Sequence, residues 1–224
     1  MQLKQNISTT IMAHCVSPTE ECPYVFKYII VGESGVGKTC LMKQFNDFQF
    51  DPNHEITIGV GCGDRILQLE GYPITKIRTW DTAGTEHFRS MALSYFRDAI
   101  GAILVYDITR LNTFDRLTEW LSDAYNHCSP DCVFMLVGNK RDHSDARKVD
   151  RNRGVLFSKM NNNIIFMETS AKTAYNVEEA FGALTMEIHD RIQDGRINMR
   201  KHKEGIRPSL QIARPRKRDK CCKN

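Results

Sequence analysis

Eight residues near the start of the chain carry the clearest chemistry. Gly32-Glu33-Ser34-Gly35-Val36-Gly37-Lys38-Thr39 has the spacing G-x-x-x-x-G-K-[ST] of a loop that wraps the phosphates of a nucleotide. Its glycines let the backbone turn tightly, so that successive N–H groups point inward at anionic oxygens. Lys38 adds a point charge for the β- and γ-phosphates, and the Thr39 hydroxyl suits a Mg²⁺ ion. Two later motifs complete such a site. In Trp80-Asp81-Thr82-Ala83-Gly84, the Asp81 carboxylate can hold Mg²⁺ through a water and the Gly84 N–H can meet a γ-phosphate. Asn139-Lys140-Arg141-Asp142 bears on the base. A carboxylate at Asp142 can accept from both N1–H and the 2-amino group of guanine. Adenine offers no donor at either place, so a buried carboxylate would be left unpaired against it. Glu168-Thr169-Ser170-Ala171-Lys172 adds a backbone N–H, from Ala171, for guanine O6.

These motifs need strands and helices to position them. Val25–Val31 reads as a short buried strand entering the phosphate loop, and Leu41, Met42 and Phe45 fit the buried stripe of the helix leaving it. The N-terminus of that helix favours negative charge. Strands are expected near Ile58–Leu69 and Ile74–Trp80, joined by the turn Glu70-Gly71-Tyr72-Pro73, then at Ile100–Asp107, Val133–Gly138 and Ile164–Glu168. Phe114, Leu117, Leu121 and Tyr125 repeat at helical spacing. Asn176–Asp194 reads as a last helix, with Val177, Phe181, Leu184, Ile188 and Ile192 on one face, Asn176 as its N-cap, and Glu178 and Glu179 in its first turn. The alternation predicts an α/β fold with a mostly parallel sheet of six strands and helices on both faces. Each motif falls at the end of an expected strand, where ligands sit in such sheets.

The chain has 224 residues, of which 41% are hydrophobic, enough for one ordinary domain and tails. Its longest apolar runs, such as Ile100–Tyr106, are far short of the ~18 residues that span a bilayer. Met1 to Cys15 lacks the basic flank and apolar core of a signal peptide. Eight scattered cysteines show no zinc spacing, and reduced thiols in a cytosolic setting are expected. The net charge of +4 hides a division. From Arg196 to Asn224 there are eleven Lys or Arg against Glu204 and Asp219, giving +9, while residues 1–195 carry −5. A basic tail on a mildly acidic body points to an anionic surface. A nucleic-acid-binding tail is disfavoured because no aromatics interleave the charges. Three regions follow: 1–23 without clear elements, a domain over 24–194, and a polar basic tail over 195–224, which its composition predicts to be disordered.

Four motifs in this order, with Tyr28-Ile29-Ile30-Val31-Gly32, Thr57-Ile58-Gly59-Val60 and Tyr106-Asp107-Ile108-Thr109, resemble the Rab family of Ras-superfamily small GTPases. The likeness runs from about Tyr24 to Asp194. Ile165–Ala174 and Asn176–Phe181 are most similar to the Rab subgroup of ER-to-Golgi traffic. The resemblance implies the P-loop small-GTPase fold and GTP/GDP and Mg²⁺ as ligands. It assigns Ser34, Gly35, Val36, Gly37, Lys38, Thr39, Cys40, Phe50, Thr57, Gly84, Asn139, Lys140, Asp142, Ser170, Ala171 and Lys172 to the nucleotide. Thr39, Thr57 and Asp81 fall to the metal, and Lys38, Gly84 and Thr85 to catalysis. It further implies a monomeric switch in vesicle transport on the cytoplasmic face of a Golgi or ER–Golgi membrane. Partners would be an exchange factor, an activating protein, a GDP-dissociation inhibitor or prenylation escort, and GTP-state effectors.

The chain departs from that pattern in two places. Thr85 stands where the family carries the glutamine that orients the attacking water, so slow intrinsic hydrolysis is expected, or a GTP-binding scaffold that does not hydrolyse at all. Gly61-Cys62 replaces an acid and a phenylalanine. That phenylalanine belongs with Trp80 and Tyr95 in an aromatic patch read by effectors. In the tail, Cys221-Cys222-Lys223-Asn224 is not a C-a-a-X box but resembles a Rab prenylation site. Five basic residues just before it would hold anionic lipid only weakly, at ~1 kcal/mol each, whereas two prenyl chains would anchor stably.

Overall fold

The computed structural model describes residues 24–52, 57, 59–84, 89–198 and 206–208, with the backbone alone for 89–92 and 206–208. The N-terminal segment 1–23, Thr85, and the tail cysteines Cys221 and Cys222 lie outside the described residues. Runs of β-branched and aromatic residues form the strands β1 (Tyr24–Val31), β2 (Val60–Leu67), β3 (Thr75–Thr82), β4 (Gly101–Asp107), β5 (Val133–Asn139) and β6 (Ile165–Glu168). They lie in the order β2-β3-β1-β4-β5-β6, with β2 antiparallel to β3 and every other pair on this path parallel. β4 and β5 are buried throughout, as strands covered on both faces must be.

Two apolar layers cover the sheet. On one side α1 (Lys38–Asp47) and α6 (Val177–Gln193) contribute Leu41, Phe45, Phe181, Leu184 and Ile188. The rings of Phe45 and Phe181 stack 3.8 Å apart and 5° from parallel, and burial of each stabilises by about 1.5–3 kcal/mol. On the other side α2 (Arg89–Phe96), α3 (Leu111–Asp115) and α4 (Leu117–His127) contribute Phe96, Phe114, Leu117, Trp120 and Leu121. Phe157 of α5 (Arg151–Met160) packs at the edge of this layer.

The elements depart from the sequence expectation where local geometry intervenes. The helical repeat through Phe114 breaks at Arg116. α4 therefore starts a new phase at Leu117 and buries Trp120, Leu121 and Ala124, leaving Tyr125 exposed. β2 begins at Val60 because Gly59 takes a φ of +89°, a left-handed turn that ends strand geometry. Asn176 occupies the N-cap of α6 but does not cap with its side chain. It sits in the left-handed region, and its Nδ2 donates to Glu168 O at 3.0 Å. The tail is ordered in part. Ile197 is buried and bonded to Arg191 O. Ile206–Pro208 forms β7, antiparallel to β1 over Tyr24–Phe26. β4 meets β1 only from Tyr28 onward, so β7 takes the stretch of β1 edge that β4 leaves open.

Candidate functional site

The phosphate loop is built by two glycines with positive φ, a region that other residues seldom adopt. Gly35 and Gly37 have φ of +72° and +93°, and a Cβ on Gly37 would strike the Asn139 amide. The loop hangs between β1 and α1 and is fixed from outside. Arg110 donates to Ser34 O at 2.8 Å, Lys140 to Gly35 O at 2.8 Å and Asn139 Nδ2 to Val36 O at 2.9 Å. Trp120 Nε1 holds Glu33 at 2.9 Å, and Arg116 lies 3.4 Å from the same carboxylate. Below the loop a cavity of about 260 Å³ opens at the C-terminal ends of the strands.

Ser34, Gly35, Gly37, Lys38, Thr39, Cys40, Phe50, Thr57, Gly84, Asn139, Lys140, Asp142, Ala171 and Lys172 all line this cavity. They come from both halves of the chain. Val36 and Ser170, the other two residues assigned to the nucleotide from sequence, lie just behind this wall. Val36 turns its side chain into the core, and Ser170 is buried with its hydroxyl on Asp142 Oδ1 at 2.7 Å. Asp51, Pro52 and His143 line the cavity as well. Their types carry no nucleotide signal, and only the path of the chain brings them there.

Lys38 is 6% exposed. Its ammonium donates to Gly32 O and Glu33 O at 2.7 and 2.9 Å. Burial lowers its pKa to about 8, while Asp81 and Glu33 pull the other way. Beside it Thr39, Thr57 and Asp81 meet. The two threonine hydroxyls are 2.8 Å apart, and Thr39 also donates to Asp81 Oδ2. Gly84 closes this end. A Cβ there would lie 2.6 Å from the backbone of Glu33 and Ser34, so no larger residue fits against the loop.

At the other end Asp142 projects into the cavity, steadied by Ser170. The Ala171 N–H, expected to face a ligand base, donates to Asn139 Oδ1 at 3.2 Å. Asn139 intervenes because its amide bridges two segments, the phosphate loop at Val36 and the stretch holding Thr169 and Ala171. Phe50, 36% exposed, flanks the opening. Asp107 and Arg110, which sequence reasoning did not assign, tie the two ends together. Burial alone would raise the Asp107 pKa, but hydrogen bonds from Lys140 and Thr109 outweigh it and hold the carboxylate below its usual range. Lys140 lies 2.7 Å and Arg110 3.1 Å from it. The signal available was the ordinary pairing of a buried acid with two cations, which spacing alone does not reveal.

At the aromatic patch, β2 places Cys62 directly across from Trp80 in the antiparallel register. Trp80 in turn meets Tyr95 with ring centroids 5.1 Å apart. Cys62 is exposed there. Among the described residues no helix is long and apolar enough to cross a membrane.

A family model for the Ras family matches residues 27–190, a span that takes in every element from β1 to α6 apart from a few terminal residues. The chain belongs to the Ras family. It is a small GTPase, and members of the family bind GTP and GDP, typically with Mg²⁺, and act as switches with exchange factors, activating proteins and effectors.

Proposed function

We propose that this Ras-family chain is a Rab-type switch in vesicle-mediated transport, anchored to an endomembrane through Cys221 and Cys222, with a slow hydrolytic clock of its own. The observation that carries the nucleotide reading is the convergence of the phosphate loop, the Thr39–Thr57–Asp81 cluster and Asp142 on one cavity. In this reading the loop amides and Lys38 bind the phosphates. Asp142, set by Ser170, selects guanine. Phe50 packs against the base.

The donor set fits Mg²⁺. Two hydroxyls and one carboxylate are hard oxygen ligands that take a small cation together with water and phosphate oxygens. Among the described residues no group of three or more His, Cys, Asp or Glu could hold a metal without a ligand, which agrees with a cation shared with the nucleotide. Thr39, Thr57 and Asp81 would hold it, and the ion would supply positive charge at the phosphates. Thr57 and Gly84 lie at the ends of two loops whose order would follow the γ-phosphate.

Thr85 follows Gly84 directly. Its hydroxyl is too short to span the distance a glutamine amide covers, and it lacks the amide that would position a water. Since phosphoryl transfer depends mainly on positioning and charge, the intrinsic rate should be low. By family resemblance, an activating protein can supply both an arginine and a glutamine in trans. Single-turnover GTP hydrolysis tests this. Thr85→Gln is expected to raise the intrinsic rate about 10- to 100-fold. An unchanged rate would remove Thr85 as the cause. A parent that stays slow with an activating protein present, while still binding GTP, would favour a constitutively loaded scaffold.

The Rab assignment rests on the sequence motifs around β1, β3, β4 and β6. The position of Cys62 opposite Trp80 supports a reshaped effector face, because a thiol fills far less of the patch than a phenyl ring. We infer that effectors of the ER-to-Golgi subgroup bind this chain weakly.

A further inference from the structure

A second cavity, of about 310 Å³, lies on the outer side of the base-facing loops, between the turn after β5 and the end of β6. Its wall holds three guanidiniums, those of Arg141, Arg147 and Arg151, with Glu168, Tyr175 and Asn176. None of these six residues lines the nucleotide cavity. Arg147 is already committed. It grips Glu168 with two bonds of 2.7 and 3.0 Å and donates to Val149 O at 3.0 Å.

Arg141 and Arg151 are different. Neither has a carboxylate partner among the described residues. Arg141 lies over the Tyr175 ring at 4.2 Å and Arg151 over Phe166 at 5.6 Å. An aromatic ring under a guanidinium fixes its plane and leaves its N–H edge free for a bidentate oxyanion. Two acids adjoin these arginines in sequence: Asp150 caps α5 through Asn152 N at 2.7 Å, and Asp142 lines the nucleotide cavity and accepts from Ser170. With Arg147 and Glu168 neutralising each other, the wall presents two unmatched positive charges.

A second observation comes from beneath. The Tyr106 hydroxyl is fully buried and has no hydrogen-bond partner among the described residues. It sits under Gly138 and Gly154, beside the Glu168 stem. The charges that bear on it are Glu168, Arg151, Arg147 and Asp150, of which Glu168, Arg147 and Arg151 belong to the cavity wall. A buried hydroxyl left unpaired is costly in a folded protein. Tyr106 stands behind the cavity wall rather than on it.

We propose that this cavity is a binding site for a phosphate monoester dianion, held by Arg141 and Arg151. Two guanidiniums match the double charge of such a group, and the volume suits a ring-sized body carrying it. The ligand is either a free phosphorylated metabolite or the phosphorylated headgroup of a lipid. Occupancy would also steady the base-facing loops, because Arg141 N donates to Thr169 O at 3.0 Å and precedes Asp142. Slower release of bound nucleotide follows.

The test uses the full chain loaded with GDP, titrated calorimetrically with inositol 1,4,5-trisphosphate and with inorganic phosphate. Vesicles of phosphatidylcholine with and without phosphatidylinositol 4,5-bisphosphate form a parallel arm. The site predicts saturable one-to-one binding beyond the bound GDP. Arg141→Gln and Arg151→Gln should each weaken it about tenfold at full GDP content. Arginine dependence in the vesicle arm as well identifies a lipid headgroup. Arginine dependence in the soluble arm alone identifies a free metabolite. Absence of saturable binding up to millimolar ligand, or binding by both arginine variants equal to that of the parent, overturns the proposal.

Discussion

In the function proposed above, Asp142 is the residue on which base selection turns. Ser170 fixes one carboxylate oxygen at 2.7 Å, so the side chain cannot rotate away from a mismatched base. Asp142→Asn replaces an acceptor with a donor. The amide can still accept from N1–H but confronts the guanine 2-amino group with its own N–H. GTP affinity is expected to fall about 10- to 100-fold. Xanthosine triphosphate, with a carbonyl at that carbon, should gain relative to it. Competition binding of the two nucleotides to parent and variant measures the exchange of preference. Most of the wall around Asp142 was legible in the sequence, because phosphate, metal and guanine each demand particular residue types at fixed spacing. Asp107 and Arg110 were not legible. Their role is to join loops far apart in the chain, and nothing in the local pattern of Tyr106–Arg110 states which loops those are. Val36 and Ser170 stand just behind the wall, which was not legible either: spacing gives the loop, not the direction of each side chain.

Among the elements, α6 carries a titratable group deep in the packing. His189 is 2% exposed. Its Nε2 lies 2.7 Å from the Thr75 hydroxyl, which donates to Pro73 O at 2.9 Å, so Nε2 is the donor of a neutral ring. Tyr24, Phe26 and Tyr72 surround it. Burial lowers its pKa from 6.5 to about 4, with Asp190 opposing. The unfolded chain therefore takes up a proton near pH 6.5 that the folded chain refuses until about pH 4. Above 6.5 His189 costs nothing, and as pH falls through this window stability is lost, by on the order of 3 kcal/mol. Urea unfolding at pH 7 and pH 4.5 should show a smaller loss for His189→Gln than for the parent. At this scale the strands were readable, since β4 and β5 are unbroken apolar runs. α5 was missed because Arg151–Met160 buries little beyond Gly154 and Ser158 and so shows almost no apolar stripe. It packs through the absence of a side chain: a Cβ on Gly154 would collide with Phe166.

The whole molecule is electrically divided, with +9 after Arg196 and −5 before it. Without lipid the tail should draw the protein to anionic vesicles only weakly, through five charges clustered at Arg214–Lys220 worth ~1 kcal/mol each at most. Sedimentation with phosphatidylserine vesicles is expected to show binding at low salt that largely disappears as the Debye length shrinks from ~30 Å at 0.01 M to ~8 Å at 0.15 M. Persistent binding of the unlipidated chain at the higher salt would mean that something other than tail charge holds it. Composition foretold this polarity but not β7, because three residues with so little apolar character give no strand signal. The open edge of β1 recruits them.

That small strand alters the length of a leash. Since Ile197 is held in the core, the leash runs from Asn198 to Cys221, 24 residues, an outer radius of roughly 85 Å when fully drawn out. With Ile206–Pro208 clipped to β1, only the 13 residues from Ser209 to Cys221 are left to pay out, roughly 45 Å. The clip lies at the end of β1 away from the phosphate loop, so a body moored at Cys221 would swing on the shorter line from that end. Unzipping three residue pairs would double its working distance, placing the same switch within reach of partners one protein diameter farther from the membrane.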